Sequence, residues 1–124
     1  MKKILFVGEK RSATARKMKV TWKDGNLAAK HLFVAIDHAG LDIKNCDFMN
    51  VFREILAEDI VNKNAVAIIK NFDGIVVAMG RKVEKVLKNE GIKHEFVYHP
   101  ATRGAVRKID RYCEHFKNNL NHIL

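Results

Sequence analysis

Four short apolar runs, separated by stretches of helical pattern, constrain the fold of this chain more than any other feature. They cover residues 3–8, 46–51, 74–80 and 94–98. Near-continuous apolar runs of this length are typical of strands buried on both faces of a parallel sheet. Strands that alternate with helices predict an α/β fold, here a three-layer α/β/α sandwich with a short four-stranded parallel sheet.

The segments between and after these runs carry apolar residues at helical spacing. Asn26 suits the N-cap of the first helix, and Gly40 suits its C-terminus. Residues 9–25 are polar, basic and irregular, although Ser12 or Thr14 suits the cap of a short helix there. Helices are predicted over residues 26–39, 53–61, 65–72, 81–90 and 103–120.

The size and charge of the chain restrict its class and its partners. With 124 residues we expect a single domain, residues 1–124. The net charge of +9 favours a polyanionic partner, and nucleic acid is the commonest. A solvated lysine-rich surface is the alternative interpretation. We expect DNA, single- or double-stranded, as the partner of a monomeric chain.

The cysteines and the apolar runs bear on localisation. Cys46 and Cys113 are too few for a disulfide scaffold or a four-thiolate cluster, which favours reduced thiols in a cytoplasmic protein. The apolar stretch after Lys3 is too short for a signal peptide. No run approaches the roughly 18 apolar residues that a membrane span needs, so we expect no membrane association.

A carboxylate and an imidazole follow two of the predicted strands. Gly8-Glu9 ends the first strand, and His99-Pro100 ends the fourth. Ligands bind at the carboxyl ends of strands in open parallel sheets, so Glu9 and His99 are candidates for one crevice. Gly8 lets the backbone approach a ligand closely. Taken alone, Glu9 also fits an exposed loop carboxylate and His99 a turn residue.

An amide and an indole are candidates for binding a base. Asn50 lies in an apolar run near the end of the second strand, and its side chain has both a donor and an acceptor for a base edge. A cap on the following helix is the alternative. Trp22 lies among basic residues, as in a single-strand binding surface, although it also suits a hydrophobic cover over the sheet end.

Basic residues near the same crevice are candidates for holding phosphates. A solvated basic face is the alternative for them. The chain has no Gly-x-Gly-x-x-Gly after the first strand and no P-loop, and the other histidines lack metal-ligand spacing, so we expect no cofactor and no metal. The candidate phosphate-binding residues are Lys10, Arg11, Ser12, Arg103 and Arg107.

Taken together, these segments resemble the uracil-DNA glycosylase superfamily. No single motif is specific, but their order at four strand ends is moderately so. The resemblance spans most of the chain. The motifs are Gly8-Glu9, Ala39-Gly40-Leu41, Asn50, Gly80 and His99-Pro100.

The resemblance implies an enzyme that flips a damaged base, usually uracil, out of DNA and hydrolyses its N-glycosidic bond. Glu9 would position the attacking water, Asn50 would recognise the base edge, and His99 would stabilise the departing base anion. Arg103 and its neighbours would belong to the loop that presses on DNA near the flipped base.

Two departures from the family pattern leave alternatives open. Lys10-Arg11 replaces the small residue and proline common after the motif's carboxylate or amide, and the four cysteines that hold an iron–sulfur cluster in some branches are absent. The alternatives are a nucleic-acid-binding module of the same fold without the chemistry, and an α/β domain that binds a nucleotide or free base.

Overall fold

The computed structural model describes residues 3–25, 27–55, 57–101 and 108–123, and it confirms the α/β fold. The strands form a four-stranded sheet in the order β2-β1-β3-β4, and every neighbouring pair is parallel. All the carboxyl ends therefore lie at one edge of the sheet. The strands are β1 (Ile4–Gly8), β2 (Cys46–Asn50), β3 (Ile75–Met79) and β4 (Glu95–Val97).

Five α-helices are present in the described part of the chain. Short 3₁₀ turns lie at Trp22–Asp24, Ile43–Asn45 and Asn121–Ile123. The helices are α1 (Ala13–Met18), α2 (Ala28–His38), α3 (Lys63–Lys70), α4 (Arg81–Asn89) and α5 (Ile109–Leu120).

The helices cover the sheet from both sides, which explains why the strands are apolar along their whole length. On one face, α2 and α5 pack against the side of β1 that carries Phe6; Leu32 and Phe116 are fully buried there. On the other face, α3 and α4 pack against the side that carries Val7, with Leu87 fully buried. The three-layer prediction is confirmed.

Local capping explains two helix ends. The Ser12 hydroxyl accepts a hydrogen bond from the Ala15 backbone N–H at 3.1 Å and begins α1, as one predicted alternative required. Gly40 has φ +80° after α2, and the Leu41 N–H bonds the Ile36 carbonyl at 3.1 Å. A left-handed residue at this position is a common helix stop, so the role predicted for Gly40 is confirmed.

The predicted helix over residues 53–61 is wrong. The described residues of this segment, 53–55 and 57–61, form no helix, and Phe52 and Val61 pair as an isolated antiparallel bridge. The Arg53 N–H bonds the Ile60 carbonyl at 2.7 Å, the Asn62 N–H bonds the Val51 carbonyl at 2.8 Å, and the Lys10 ammonium binds the Ile55 carbonyl at 2.6 Å. Backbone groups that a helix would pair internally are therefore used in other contacts.

Smaller boundary differences affect other predicted helices. The helix expected over 65–72 is α3 and begins two residues earlier, because the Asn62 side chain accepts bonds from the Asn64 and Ala65 N–H groups and caps it. Residues 9–25, expected to be irregular, contain α1. Asn26 and residues 103–107 of the final predicted helix lie outside the described residues.

Helix α5 satisfies backbone groups beyond the end of edge strand β4. The Tyr112 hydroxyl donates to the Tyr98 carbonyl at 2.7 Å, and His115 Nε2 accepts from the Tyr98 N–H at 2.9 Å. These bonds fix the chain direction just before His99. Within the described ranges, no helix is long and apolar enough to cross a membrane.

Candidate functional site

A cavity of about 310 Å³ opens at the carboxyl edge of the sheet. Six of its lining residues are candidates from the sequence: Lys10, Arg11 and Ser12 from the segment after β1, Trp22 from a 3₁₀ turn, Asn50 from the end of β2, and His99 from the segment after β4. Its size is near the lower end of the roughly 300–1,000 Å³ typical of small-molecule sites. The fold thus brings an indole, an amide and an imidazole together from distant parts of the sequence.

Trp22 and Asn50 form a hydrogen-bonded pair above the end of β1. The indole Nε1–H donates to Asn50 Oδ1 at 2.8 Å. Gly8 lies directly beneath, since a Cβ atom there would stand 2.8 Å from Asn50 Oδ1 and 2.8 Å from Trp22 Cζ2. Gly8 is therefore needed for the close approach of this pair and is buried behind it.

Two alternatives for these residues can now be settled. Asn50 does not cap a helix, because its oxygen binds Trp22 and the next helix begins only at Lys63. Trp22 does cover the end of β1, as one interpretation expected, and it lines the cavity as well.

His99 is held in one neutral tautomer. The Ala101 N–H donates to His99 Nδ1 at 3.0 Å, so this nitrogen is the acceptor. Burial lowers the pKa of His99 below its ordinary value of 6.5, which keeps the ring neutral at pH 7. The ring proton therefore lies on Nε2, which is a hydrogen-bond donor. The Trp22 ring packs against this imidazole, with the ring centroids 5.6 Å apart.

Glu9 and His99 approach each other across Gly80, the first residue after β3. A Cβ atom at Gly80 would lie 3.5 Å from His99 Cβ and 3.9 Å from Glu9 Oε2. The Glu9 carboxylate is close enough to Lys82 to contribute to its raised pKa, after the larger effects of Asp59. Glu9 stands beside the cavity rather than among its lining residues.

Lys10 is a structural cation in this conformation. Its side chain is only 15% exposed, and its ammonium binds the carbonyls of Ile55 and Glu58 and the Asp59 carboxylate at 3.2 Å. Hydrogen bonds from Lys82 and Lys10 hold the pKa of Asp59 below its usual value. The charge of Lys10 is thus compensated within the protein.

Arg11 is also paired. Its Nε and Nη2 donate to the two carboxylate oxygens of Glu54 at 2.6 and 2.7 Å, a bidentate arrangement. This hydrogen bonding lowers the pKa of Glu54. Arg11 and Ser12 line the cavity together with Lys10. Arg103 and Arg107, the other predicted phosphate ligands, lie outside the described residues.

Sequence reasoning missed the apolar part of the cavity wall. It is formed by the segment that enters α2 together with the end of the preceding loop, including Val20, Leu27 and Ala28. Leu27 has φ +55°, an uncommon value for a non-glycine residue, and it is 41% exposed. Nothing in the local pattern around Leu27 indicates a pocket, because the wall forms only when this segment folds over the ends of the strands.

The described residues offer no metal site, since no group of three or more His, Cys, Asp or Glu among them is arranged to hold an ion. No model of a known protein family matches the sequence, and no curated protein matches it. The resemblance to the uracil-DNA glycosylase superfamily therefore stays a prediction from the motifs.

Proposed function

We propose that this chain is a DNA glycosylase that hydrolyses the N-glycosidic bond of uracil, or of a related damaged base, flipped out of DNA. One observation carries the proposal: a single cavity at the carboxyl edge of the sheet is lined by Trp22, Asn50 and His99. A nucleobase needs an apolar wall for its ring and a few polar groups for its edge, and this cavity supplies both.

His99 would stabilise the leaving group. As the bond between the sugar carbon and the base nitrogen breaks, the electron pair moves onto the base, and negative charge develops on its carbonyl oxygens. The Nε2–H of the neutral His99 would donate a hydrogen bond to one of those oxygens. A preorganised donor of this kind needs no reorganisation at the moment of reaction.

Glu9 would act on the water. Its carboxylate lies across Gly80 from His99, where it can hold a water molecule by hydrogen bonding. The water oxygen adds to the sugar carbon, one of its protons passes to the carboxylate, and the base leaves as an anion that is protonated later. The products are the free base and an abasic site.

The basic charge would hold the nucleic acid. Flipping a base costs a few kcal/mol, least from a mismatch or a single strand, and contacts to phosphates offset part of that cost. Lys17 and Lys23 are exposed and are candidates for this role: Lys23 directly follows the lining residue Trp22, and Lys17 lies on α1, the helix that contributes Thr14 and Ala15 to the cavity lining. Lys10 and Arg11 would have to leave their present carboxylate partners to join them.

An abasic-site assay tests the proposal. Labelled single- and double-stranded oligonucleotides carrying one uracil are incubated with the protein and cleaved with alkali. Wild type should produce abasic sites, which alkali converts to strand breaks. His99→Ala and Glu9→Ala should lose this activity while remaining folded by circular dichroism. His38→Ala, which changes an exposed histidine on α2, is the matched control and should cleave as wild type does. Cleavage that His99→Ala leaves unchanged would refute the assignment.

The position of Glu9 favours a second candidate, a nucleic-acid-binding module without the chemistry. Glu9 stands beside the cavity and near Lys82 instead of lining it, so a base could bind without a water being held for attack. This candidate predicts salt-sensitive binding of uracil-containing oligonucleotides and no alkali-labile product.

A further inference from the structure

The hydrogen bond between Trp22 and Asn50 determines which atoms the amide offers to the cavity. An indole N–H can only donate, so the Asn50 atom that faces it must be the oxygen. The contact is 2.8 Å, and Gly8 leaves no space beneath the pair for the amide to turn freely. The Nδ2 group, which carries two donors, is consequently the end of the amide left for a ligand.

A hydrogen bond also determines which ring nitrogen of His99 can donate to a ligand. Its Nδ1 accepts the Ala101 N–H at 3.0 Å, and Nε2–H remains as a donor. Asn50 and His99 therefore each have an acceptor bonded within the protein and a donor left over; the other polar side chains that line the cavity are cations and hydroxyls, Lys10, Arg11, Ser12, Thr14 and Thr21. No carboxylate is among the described residues that line the cavity.

We infer that Trp22 is a positioning residue that makes the cavity selective for a planar heterocycle with two carbonyl acceptors. The inference rests on the proposed function only in taking the cavity as a nucleobase site. Against a base with an exocyclic amino group, two donors would face each other, and neither would be satisfied. While Trp22 bonds the Asn50 oxygen, that oxygen cannot accept a hydrogen bond from the ring N–H between the two carbonyls of the base. Methylation of that ring nitrogen should therefore weaken binding less than replacement of a carbonyl by an amino group.

Binding of free bases to the intact chain tests this inference without requiring catalysis. Uracil, 3-methyluracil and cytosine are titrated against wild type, and dissociation constants are measured by NMR. Because two donors would face each other, cytosine should bind roughly 10- to 100-fold more weakly than uracil. The affinity for 3-methyluracil should stay closer to that of uracil than to that of cytosine.

The decisive change removes only the indole N–H. Trp22 is the one tryptophan of the chain, so replacing tryptophan biosynthetically with its benzothienyl analogue, which has sulfur in place of N–H, alters no other position. Asn50 can then turn its oxygen toward the cavity, and the ratio of cytosine to uracil dissociation constants should fall several-fold toward one. Trp22→Phe should have the same effect, and thermal melting verifies that each protein is folded.

The outcomes separate this inference from the glycosylase proposal. A folded analogue protein with an unchanged cytosine-to-uracil ratio would overturn the role of Trp22, even if wild type produces abasic sites. A ratio that falls as expected, in a protein that never produces an abasic site, would support Trp22 and refute the enzyme. Binding of cytosine by wild type as tightly as uracil, or of none of the three bases, would also overturn the inference.

Discussion

At the scale of single residues, Gly8 is the tightest constraint on the site. A Cβ atom at Gly8 would stand 2.8 Å from Asn50 Oδ1 and 2.8 Å from Trp22 Cζ2, closer than side chains pack. The backbone of Gly8 is otherwise an ordinary strand end, so only the space above it requires glycine.

Gly8→Ala should therefore displace Trp22 and break its bond to Asn50. Because the added Cβ would stand 2.8 Å from both neighbouring side chains, we expect a loss of about 1–3 kcal/mol in the free energy of unfolding. The indole should become more solvated. Urea denaturation measures the first effect, and the emission wavelength of the single tryptophan measures the second.

Gly40→Ala is the control for Gly8→Ala. A Cβ at Gly40 meets nothing within 4 Å, but the φ of +80° strains any side chain there, so this variant should also lose stability. It should leave the tryptophan emission unchanged. Equal emission shifts in both variants would contradict the local explanation.

At this scale, the sequence alone identified candidate site residues but not the residues that they contact in the fold. Asn50 was predicted to recognise a base or to cap a helix, and the choice could not be made because Trp22 lies 28 positions away. The same holds for Lys10, whose charge indicated phosphate binding while its partner Ile55 lies 45 positions away. Charge and polarity are visible in a sequence, but their compensation depends on tertiary contacts.

At the scale of elements, the packing of α5 on β4 makes stability depend on pH. His115 on α5 accepts the Tyr98 N–H through Nε2, and protonation would abolish that acceptor. Burial lowers the pKa of His115, and the same cause lowers that of His99. The Tyr98 ring stacks on His115 with the ring centroids 4.6 Å apart, and the Tyr112 ring flanks it at 5.9 Å, so aromatic rings cover the imidazole.

The stability of the fold should decrease as the pH falls below about 6.5. The folded-state pKa values of both histidines lie below their unfolded values, so the unfolded state binds more protons in this window, and acid favours unfolding. Urea denaturation at about pH 7.5 and about pH 5.5 measures the difference. His115→Gln, which can still accept a hydrogen bond but does not titrate, should show a smaller difference than wild type; an equal one would contradict the role of His115.

The lowered pKa values of Glu54 and Asp59 do not confound this measurement. The pKa values of Glu54 and Asp59 are lowered from 4.5 and 3.8 by hydrogen bonds from Arg11 and from Lys82 and Lys10. A lowered carboxylate pKa contributes stability that is lost only as the pH falls below the ordinary value of the group. Their effect therefore begins in more acidic solution than that of the histidines.

Element types were predictable where the pattern was local. The strands and α4 follow from apolar runs and helical spacing. Each end of these elements lies within one residue of its predicted position. The prediction for 53–61 failed because Leu56 and Ile60 have helical spacing in the sequence, yet the Arg53 N–H bonds the Ile60 carbonyl and Lys10 binds the Ile55 carbonyl. A competing tertiary contact of that kind leaves no trace in the local sequence.

At the scale of the whole molecule, a test of nucleic-acid binding depends on where the lysines lie, since the total charge of +9 does not single out one face. Lys17 and Lys23 are exposed and belong to α1 and to the 3₁₀ turn of Trp22, and both of these elements contribute lining residues to the cavity at the carboxyl edge of the sheet. Lys88 and Lys93 are equally exposed but lie near the end of α4 and just before β4, toward the amino ends of the strands. If the cavity is the nucleic-acid face, these two pairs should differ in their effect on binding, although they change the net charge equally.

The double variant Lys17→Gln/Lys23→Gln should therefore weaken binding and reduce its salt dependence, whereas Lys88→Gln/Lys93→Gln should do neither. Each lost phosphate contact lowers the slope of log K against log salt by about 0.7 for a single strand or about 0.9 for a duplex. Fluorescence anisotropy of a labelled oligonucleotide across a salt series measures the slope for both variants. Equal reductions of the salt slope in both variants would mean that DNA binds through the general charge of the surface. That result would contradict the assignment of the cavity as the binding face. A reduction confined to the first pair would place the nucleic acid over Trp22, Asn50 and His99.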